Sequence, residues 1–181
     1  SEVRIQKTRG LWSVNPIQQQ FIQKRQIPLL GMKINGETQE MVTSAILYFN
    51  TLGVAPITLL IDSDGGEDRF QDIIVDSIRL SEAPVHGIVV GYASSAAFWI
   101  LQNCHKRISR PSSRMMFHGA TFSRLRIDDV KFAQSVRETK RDHERLLRFL
   151  ARRTKRPIAK WRKWSREEKY FSGNEALKYG L

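Results

Sequence analysis

Val90-Gly91-Tyr92-Ala93-Ser94-Ser95-Ala96-Ala97 decides how the chain reads. A run of β-formers from Val85 to Val90 ends here and a helix-forming run to about Asn103 begins, so Ser95 falls at a strand-to-helix junction. The first backbone N–H groups of a helix have no intrahelical acceptor, and its dipole is positive at that end. Both favour an anion developing beside the serine. The same small residues also let a helix pack closely on a sheet, so the octapeptide alone fits either a nucleophile or plain packing.

Working outward, strands and helices alternate. Ile57 to Ile61 reads as a buried strand running into Asp62-Ser63-Asp64-Gly65-Gly66, and a helix carrying Phe70, Ile73, Ile74, Ser77 and Ile78 follows. Ile108 and Met115 to Phe117 lie in two further short strands, the second ending at His118. Upstream, Ile27 to Met32 is a strand with Pro28 at an edge or entry, Asn35-Gly36 is a turn signal, and Thr38 to Leu52 has helical apolar spacing stopped by Gly53. The pattern predicts an α/β fold with a mainly parallel sheet, in which sites form at the carboxyl ends of strands.

Downstream, Asp128-Asp129 starts a long helix with Val130, Ala133, Val136, His143, Leu146, Leu147 and Leu150 at three- and four-residue steps, ended near Pro157. Pro157 to Trp164 suggests a short helix, and Ser172-Gly173-Asn174-Glu175 has capping-box form for a last helix to Tyr179, closed by Gly180. Residues 1–26 show no sustained period and read as a mobile arm or irregular lead-in. With no repeat and no linker, 27–181 reads as a single domain.

The 181 residues, 41% apolar and 27% charged, suit an ordinary soluble domain. No apolar run approaches a membrane span, and Ser1-Glu2-Val3-Arg4 does not open a secretory signal. The expected location is cytoplasmic or an organellar matrix or stroma. Cys104 has no partner for a disulfide or a metal site and is read as packing; no metal and no cofactor is expected. The net charge of +12 is concentrated between Lys131 and Arg166, with fourteen Lys/Arg against three acids. That section lacks zinc-finger, aromatic-strand and helix-turn-helix signatures. It reads as a solvated or subunit-facing basic helix, and nucleic acid is not an expected partner.

Gly65-Gly66, Ser95 and His118 end three strands and can converge at one sheet edge. A serine needs a base to become nucleophilic, which makes His118 the candidate base. The N–H groups of Gly66 and Ala96 are the candidate oxyanion donors. Ser94 would aim elsewhere from the helix start, His105 reads as exposed, His143 as core edge or subunit contact, and Lys106 is not needed as a base.

These residues match a known family. Asp62-Ser63-Asp64-Gly65-Gly66 resembles the Asn-Ser-Pro-Gly-Gly turn of the Clp protease proteolytic subunits (ClpP), and Gly91-Tyr92-Ala93-Ser94-Ser95 resembles their Gly-x-Ala-x-Ser elbow. Lys106 to Pro111 with Met115-Met116-Phe117-His118 resembles their approach to the catalytic histidine, and Phe171 to Leu181 their ending. The resemblance spans roughly Arg25 to Leu181. It implies a ClpP/crotonase-like β/β/α spiral with a protruding helical handle. It also implies serine endopeptidase activity on unfolded polypeptides or short peptides, with Ser95 as nucleophile, His118 as base and acid, and Gly66 and Ala96 as oxyanion hole. Homo- or hetero-oligomeric rings, heptameric and stacked, and an AAA+ unfoldase partner are implied as well.

The chain departs from the family at two places. The position of the family's third triad residue, an aspartate, falls on Glu168, with Glu167 in reserve; Ser165-Arg166-Glu167-Glu168 also has capping-box form, so Glu168 either orients His118 or bonds the Ser165 amide. Gly119 to Arg126, at the family's glycine-rich handle strand, holds one glycine. Two rival readings stay open: an inactive ClpP-like ring subunit, and a crotonase-like acyl-CoA enzyme, against which the Ser95 and His118 pair argues.

Overall fold

Side-chain caps set where three of the described helices begin. The chain, seen in a computed structural model that describes residues 15–119 and 129–181, starts with α1 (Pro16–Gln23), where Asn15 accepts from the Gln18 amide and Gln18 returns a bond to the Asn15 amide. The lead-in expected to be irregular is therefore helical over these eight residues. Ile17 and Phe21 stand four residues apart on it, but eight residues are too few for a sustained period, and the Asn15 cap is the clearer signal. β1 (Gln26–Leu30) follows, then α2 (Gly36–Thr51). Asn35, expected as part of a turn, is the N-cap of α2, its side chain accepting from the Thr38 amide at 3.0 Å.

The central strands carry the core. β2 (Ile57–Ser63) alternates buried and half-buried residues, with Ile57, Leu59 and Ile61 fully buried; each such side chain contributes about 1.5–3 kcal/mol. α3 (Asp68–Leu80) buries Ile74, Val75 and Ile78, and β3 (Val85–Ser94) and α4 (Ala96–Asn103) follow. α2 packs on α3, and α3 on α4. β4 (Lys106–Ser109) and β5 (Arg114–Phe117) complete the parallel part.

Among the described residues the sheet has six strands in the order β1-β2-β3-β5, then β6 (Lys169–Ser172), with β4 paired to β3 off this path. All pairings are parallel except β5 with β6. β3 is long enough to serve two partners: His86 to Val89 pair with β4, and Tyr92 to Ser94 pair with β5. β1 is an edge strand, which explains why Pro28, lacking an N–H, is tolerated. β6, four residues between two helical patterns, is too short for its period to be read from sequence.

α5 (Asp129–Thr154) is 26 residues long. Residues 137, 138, 140, 141 and 142 are exposed, while Leu147 and Leu150 are buried, so among the described residues its last turns anchor it to the core. α6 (Ile158–Glu167) puts Trp161 and Trp164 into an aromatic cluster with Phe98, Phe117, Phe171 and Tyr179 behind the sheet edge. α7 (Gly173–Tyr179) has the expected capping box: the Ser172 amide donates to Glu175 at 2.9 Å and the Glu175 amide to Ser172 Oγ at 3.3 Å.

Part of the basic excess is structural. Arg153 donates to the Cys104 carbonyl at the end of α4, while Arg156 and Arg107 donate to the Lys178 and Gly180 carbonyls at the end of α7. Cations at helix C-termini complement the dipole. Cys104 is fully buried, its thiol pushed up to about 12 by burial, as packing requires. Among the described residues no helix is long and apolar enough to cross a membrane. Residues 120–126 of the handle strand and the arm before Asn15 lie outside the described residues.

Candidate active site

Ser95 stands between β3 and α4 with φ 54° and ψ −119°, a left-handed conformation that a side chain adopts at a cost of about 1–3 kcal/mol. The parallel register holds it there. Ser94 faces Met116, and the Ser95 amide donates to the Met116 carbonyl at 2.9 Å. Two residues beyond Met116 the chain reaches His118, so one ladder positions both side chains. Ser95 Oγ and His118 Nε2 are 2.7 Å apart, and both residues are half-buried.

The donor side is built by the turn after β2. A parallel bridge ties Ile34 to Gly66: the Ile34 amide donates to the Gly65 carbonyl and the Glu67 amide to the Ile34 carbonyl, each at 2.9 Å. A bridge of this kind turns the Gly66 N–H away from Ile34. Among the described residues that N–H makes no turn or loop backbone hydrogen bond. Gly65, with φ +100°, is pressed against the serine elbow: a Cβ there would lie 2.9 Å from Ser95 Cβ and 3.0 Å from the Ala96 nitrogen. Ala96 is the first residue of α4, so its N–H precedes the first intrahelical bond, which runs from Trp99 to Ser95 at 3.1 Å.

The structure thus brings Ser95, His118, Gly66 and Ala96 to one edge. Glu168 is different. The β5–β6 ladder ends with Phe117 opposite Lys169, so one more step of the register carries His118 toward Glu168. Glu168 is exposed, ends α6 in the left-handed conformation (φ 50°, ψ 78°), and its carboxylate makes no hydrogen bond among the described residues. His118 Nδ1 instead lies 2.5 Å from the Gly119 carbonyl. This contact fixes the tautomer: Nδ1–H donates to Gly119, leaving Nε2 to accept from Ser95.

The capping-box reading of Ser165 is overturned, because Ser165 is inside α6 and its Oγ donates to the Arg162 carbonyl at 2.9 Å. A helix starting at Pro157 does not end before a serine that its own pattern can absorb. Glu167, the reserve, is exposed and 3.8 Å from Lys163.

Sequence reasoning missed three neighbours. Asp68, at the start of α3, has its carboxyl raised by burial and by Asp72, with His118 pulling the other way. Its place two residues after Gly66 was a usable signal. His143, read as core edge, packs toward Gly119, where a Cβ would lie 3.4 Å from His143 Cε1. Gly119 itself is pinned by its amide, which donates to the Ser165 carbonyl at 2.7 Å. No sequence signal marks a backbone carbonyl, since every residue has one.

A family model described as Clp protease matches residues 9–181. The chain is 29% identical over 168 residues to the ATP-dependent Clp protease proteolytic subunit 2 of Treponema denticola, covering 91% of this chain and 83% of that one. It is 29% identical over 155 residues to the ATP-dependent Clp protease proteolytic subunit of Hordeum vulgare, covering 84% and 72%. A solved structure of a ClpP1 variant from Listeria monocytogenes superposes with a TM-score of 0.80 at 28% identity, covering 91% of this chain and 92% of that one.

Proposed function

The chain belongs to the Clp protease family, and on that premise we propose that it is a serine endopeptidase acting on unfolded polypeptides or short peptides through Ser95 and His118. The observation that carries this reading is the 2.7 Å contact between Ser95 Oγ and His118 Nε2 at a positive-φ elbow. Ser95 attacks the scissile carbonyl while Nε2 takes its proton. The N–H groups of Gly66 and Ala96 hold the oxyanion, a contribution of about 10²–10³ in rate per donor. His118 then protonates the leaving amine, and water activated by the same nitrogen hydrolyses the acyl-enzyme.

Glu168 is proposed as the third member. In this role the His118 Nδ1–H keeps its proton and turns its hydrogen bond from the Gly119 carbonyl to the Glu168 carboxylate as positive charge builds on the ring, and the extra methylene relative to aspartate allows the reach. The present contact of Nδ1 with Gly119 favours a second reading, a ring subunit without activity.

Assembly into homo- or hetero-oligomeric rings, heptameric and stacked, would place Ser95 inside a chamber. The relatives' names carry ATP dependence, which we assign to a partner AAA+ unfoldase. The cytoplasm or an organellar matrix or stroma is the proposed location. The test is labelling with a fluorophosphonate. Modification of wild type that is lost in Ser95→Ala, together with cleavage of unfolded casein, is expected; labelling that survives in Ser95→Ala refutes the assignment, and assembled rings with no labelling at all establish the inactive subunit.

A further inference from the structure

A cavity of about 500 Å³ is lined by Gly119, the residue after His118, together with residues of α5 and α6. Gly119 is common to both places: its carbonyl holds His118 Nδ1, and its amide is fixed to Ser165 on the cavity wall. The cavity wall therefore begins at the residue that follows His118 in the chain and holds its Nδ1.

The wall chemistry is cationic. Lys140 from α5 and Arg162 and Arg166 from α6 line it, against a single carboxylate among the described residues, Glu144. That carboxylate is already engaged, 2.6 Å from Arg162 and 3.2 Å from Arg148, and its pKa is lowered chiefly by the Arg162 hydrogen bond. One twice-engaged acid does not neutralise three cations. His143, also on the wall, has a buried Nδ1 with no hydrogen-bond partner among the described residues. Leu147 gives the cavity an apolar floor, suited to the methylenes of a short side chain.

We propose that this cavity takes an aspartate or glutamate side chain from the residue that donates the scissile carbonyl, so that the enzyme cleaves after acidic residues. The inference rests on the hydrolytic reading of Ser95 and His118. A carboxylate entering the cavity gains charge-assisted hydrogen bonds from lysine and arginine, whereas an apolar side chain strips water from these cations and returns nothing.

The experiment uses the full chain and fluorogenic peptides identical except for their last residue: aspartate, glutamate, leucine or lysine. kcat/KM for the two acidic peptides is expected to exceed that for leucine by at least about tenfold, with lysine last, and the margin shrinks as salt is raised. Lys140→Glu/Arg166→Glu, two exposed positions with the fold checked by circular dichroism, is expected to cut the acid-to-leucine ratio at least about tenfold. If Ser95 reacts with the fluorophosphonate but wild type shows no acidic preference, this proposal falls and the hydrolytic reading stands. If Ser95 takes no fluorophosphonate, both fall. Should the double variant not fold, the wild-type ratio and its salt dependence decide alone.

Discussion

Gly65→Ala tests whether the turn after β2 sets the geometry of the serine elbow. At φ +100° an alanine is strained by about 1–2 kcal/mol before any contact is considered. Its Cβ would then lie 2.7 Å from the Ser94 carbonyl oxygen, 2.9 Å from Ser95 Cβ and 3.0 Å from the Ala96 nitrogen. All three belong to the elbow and none can rotate away, so the elbow or the turn must retreat by several tenths of an ångström, a further overpacking cost of about 1–3 kcal/mol. Gly31→Ala is the control: φ is +67°, but a Cβ there meets nothing within 4 Å. Urea titration is expected to show about 1–2 kcal/mol lost in the control and about 1–3 kcal/mol more in Gly65→Ala. Because a misplacement approaching 1 Å costs about 100-fold, the rate of Ser95 modification by fluorophosphonate should fall about 100-fold in Gly65→Ala and stay at the wild-type value in Gly31→Ala. A wild-type labelling rate in Gly65→Ala would refute the claim that this glycine shapes the site.

Glu168→Gln is expected to lower kcat by about 10²- to 10⁴-fold in a peptide assay, with Ser95 and His118 unchanged; an undiminished kcat would leave the Gly119 carbonyl as the group that orients the histidine. His143 gives a pH signature. Burial lowers its pKa below 6.5, with Glu144 opposing, so the native state binds the proton more weakly than the unfolded chain does. Stability is therefore full above 6.5 and falls as the pH drops from there through the lower native value. Thermal midpoints of wild type and His143→Gln should diverge over that window, wild type losing more; parallel curves between about pH 8 and 5 would contradict it.

How much of the site was legible follows from what each residue uses. Ser95 and His118 act through side chains at the ends of strands whose apolar runs are visible in the sequence, and both fell where they were expected. Gly119 and His143 act through a backbone carbonyl and through contacts across many residues of chain, and neither leaves a local pattern. Glu168 shows the limit from the other side: its position was read by counting, yet the direction of its side chain depends on how α6 ends. The reading of Ser165 as a cap failed for the same reason, since a capping-box sequence is also a good helix interior when the helix that buries Trp161 and Trp164 runs on to Glu167.

By itself the sequence determined the alternation of strands and helices, a mainly parallel sheet, and the arrival of a serine and a histidine at strand ends, because burial periodicity and chain polarity are local properties. The tertiary structure alone decided that one long β3 pairs β4 with its first half and β5 with its second, which lets Met116 anchor the Ser95 amide and sets His118 Nε2 against Ser95 Oγ. It alone decided that Nδ1 meets a carbonyl and that three cations gather behind Gly119, since α5, α6 and β5 come from separate parts of the chain and meet only when the core has packed.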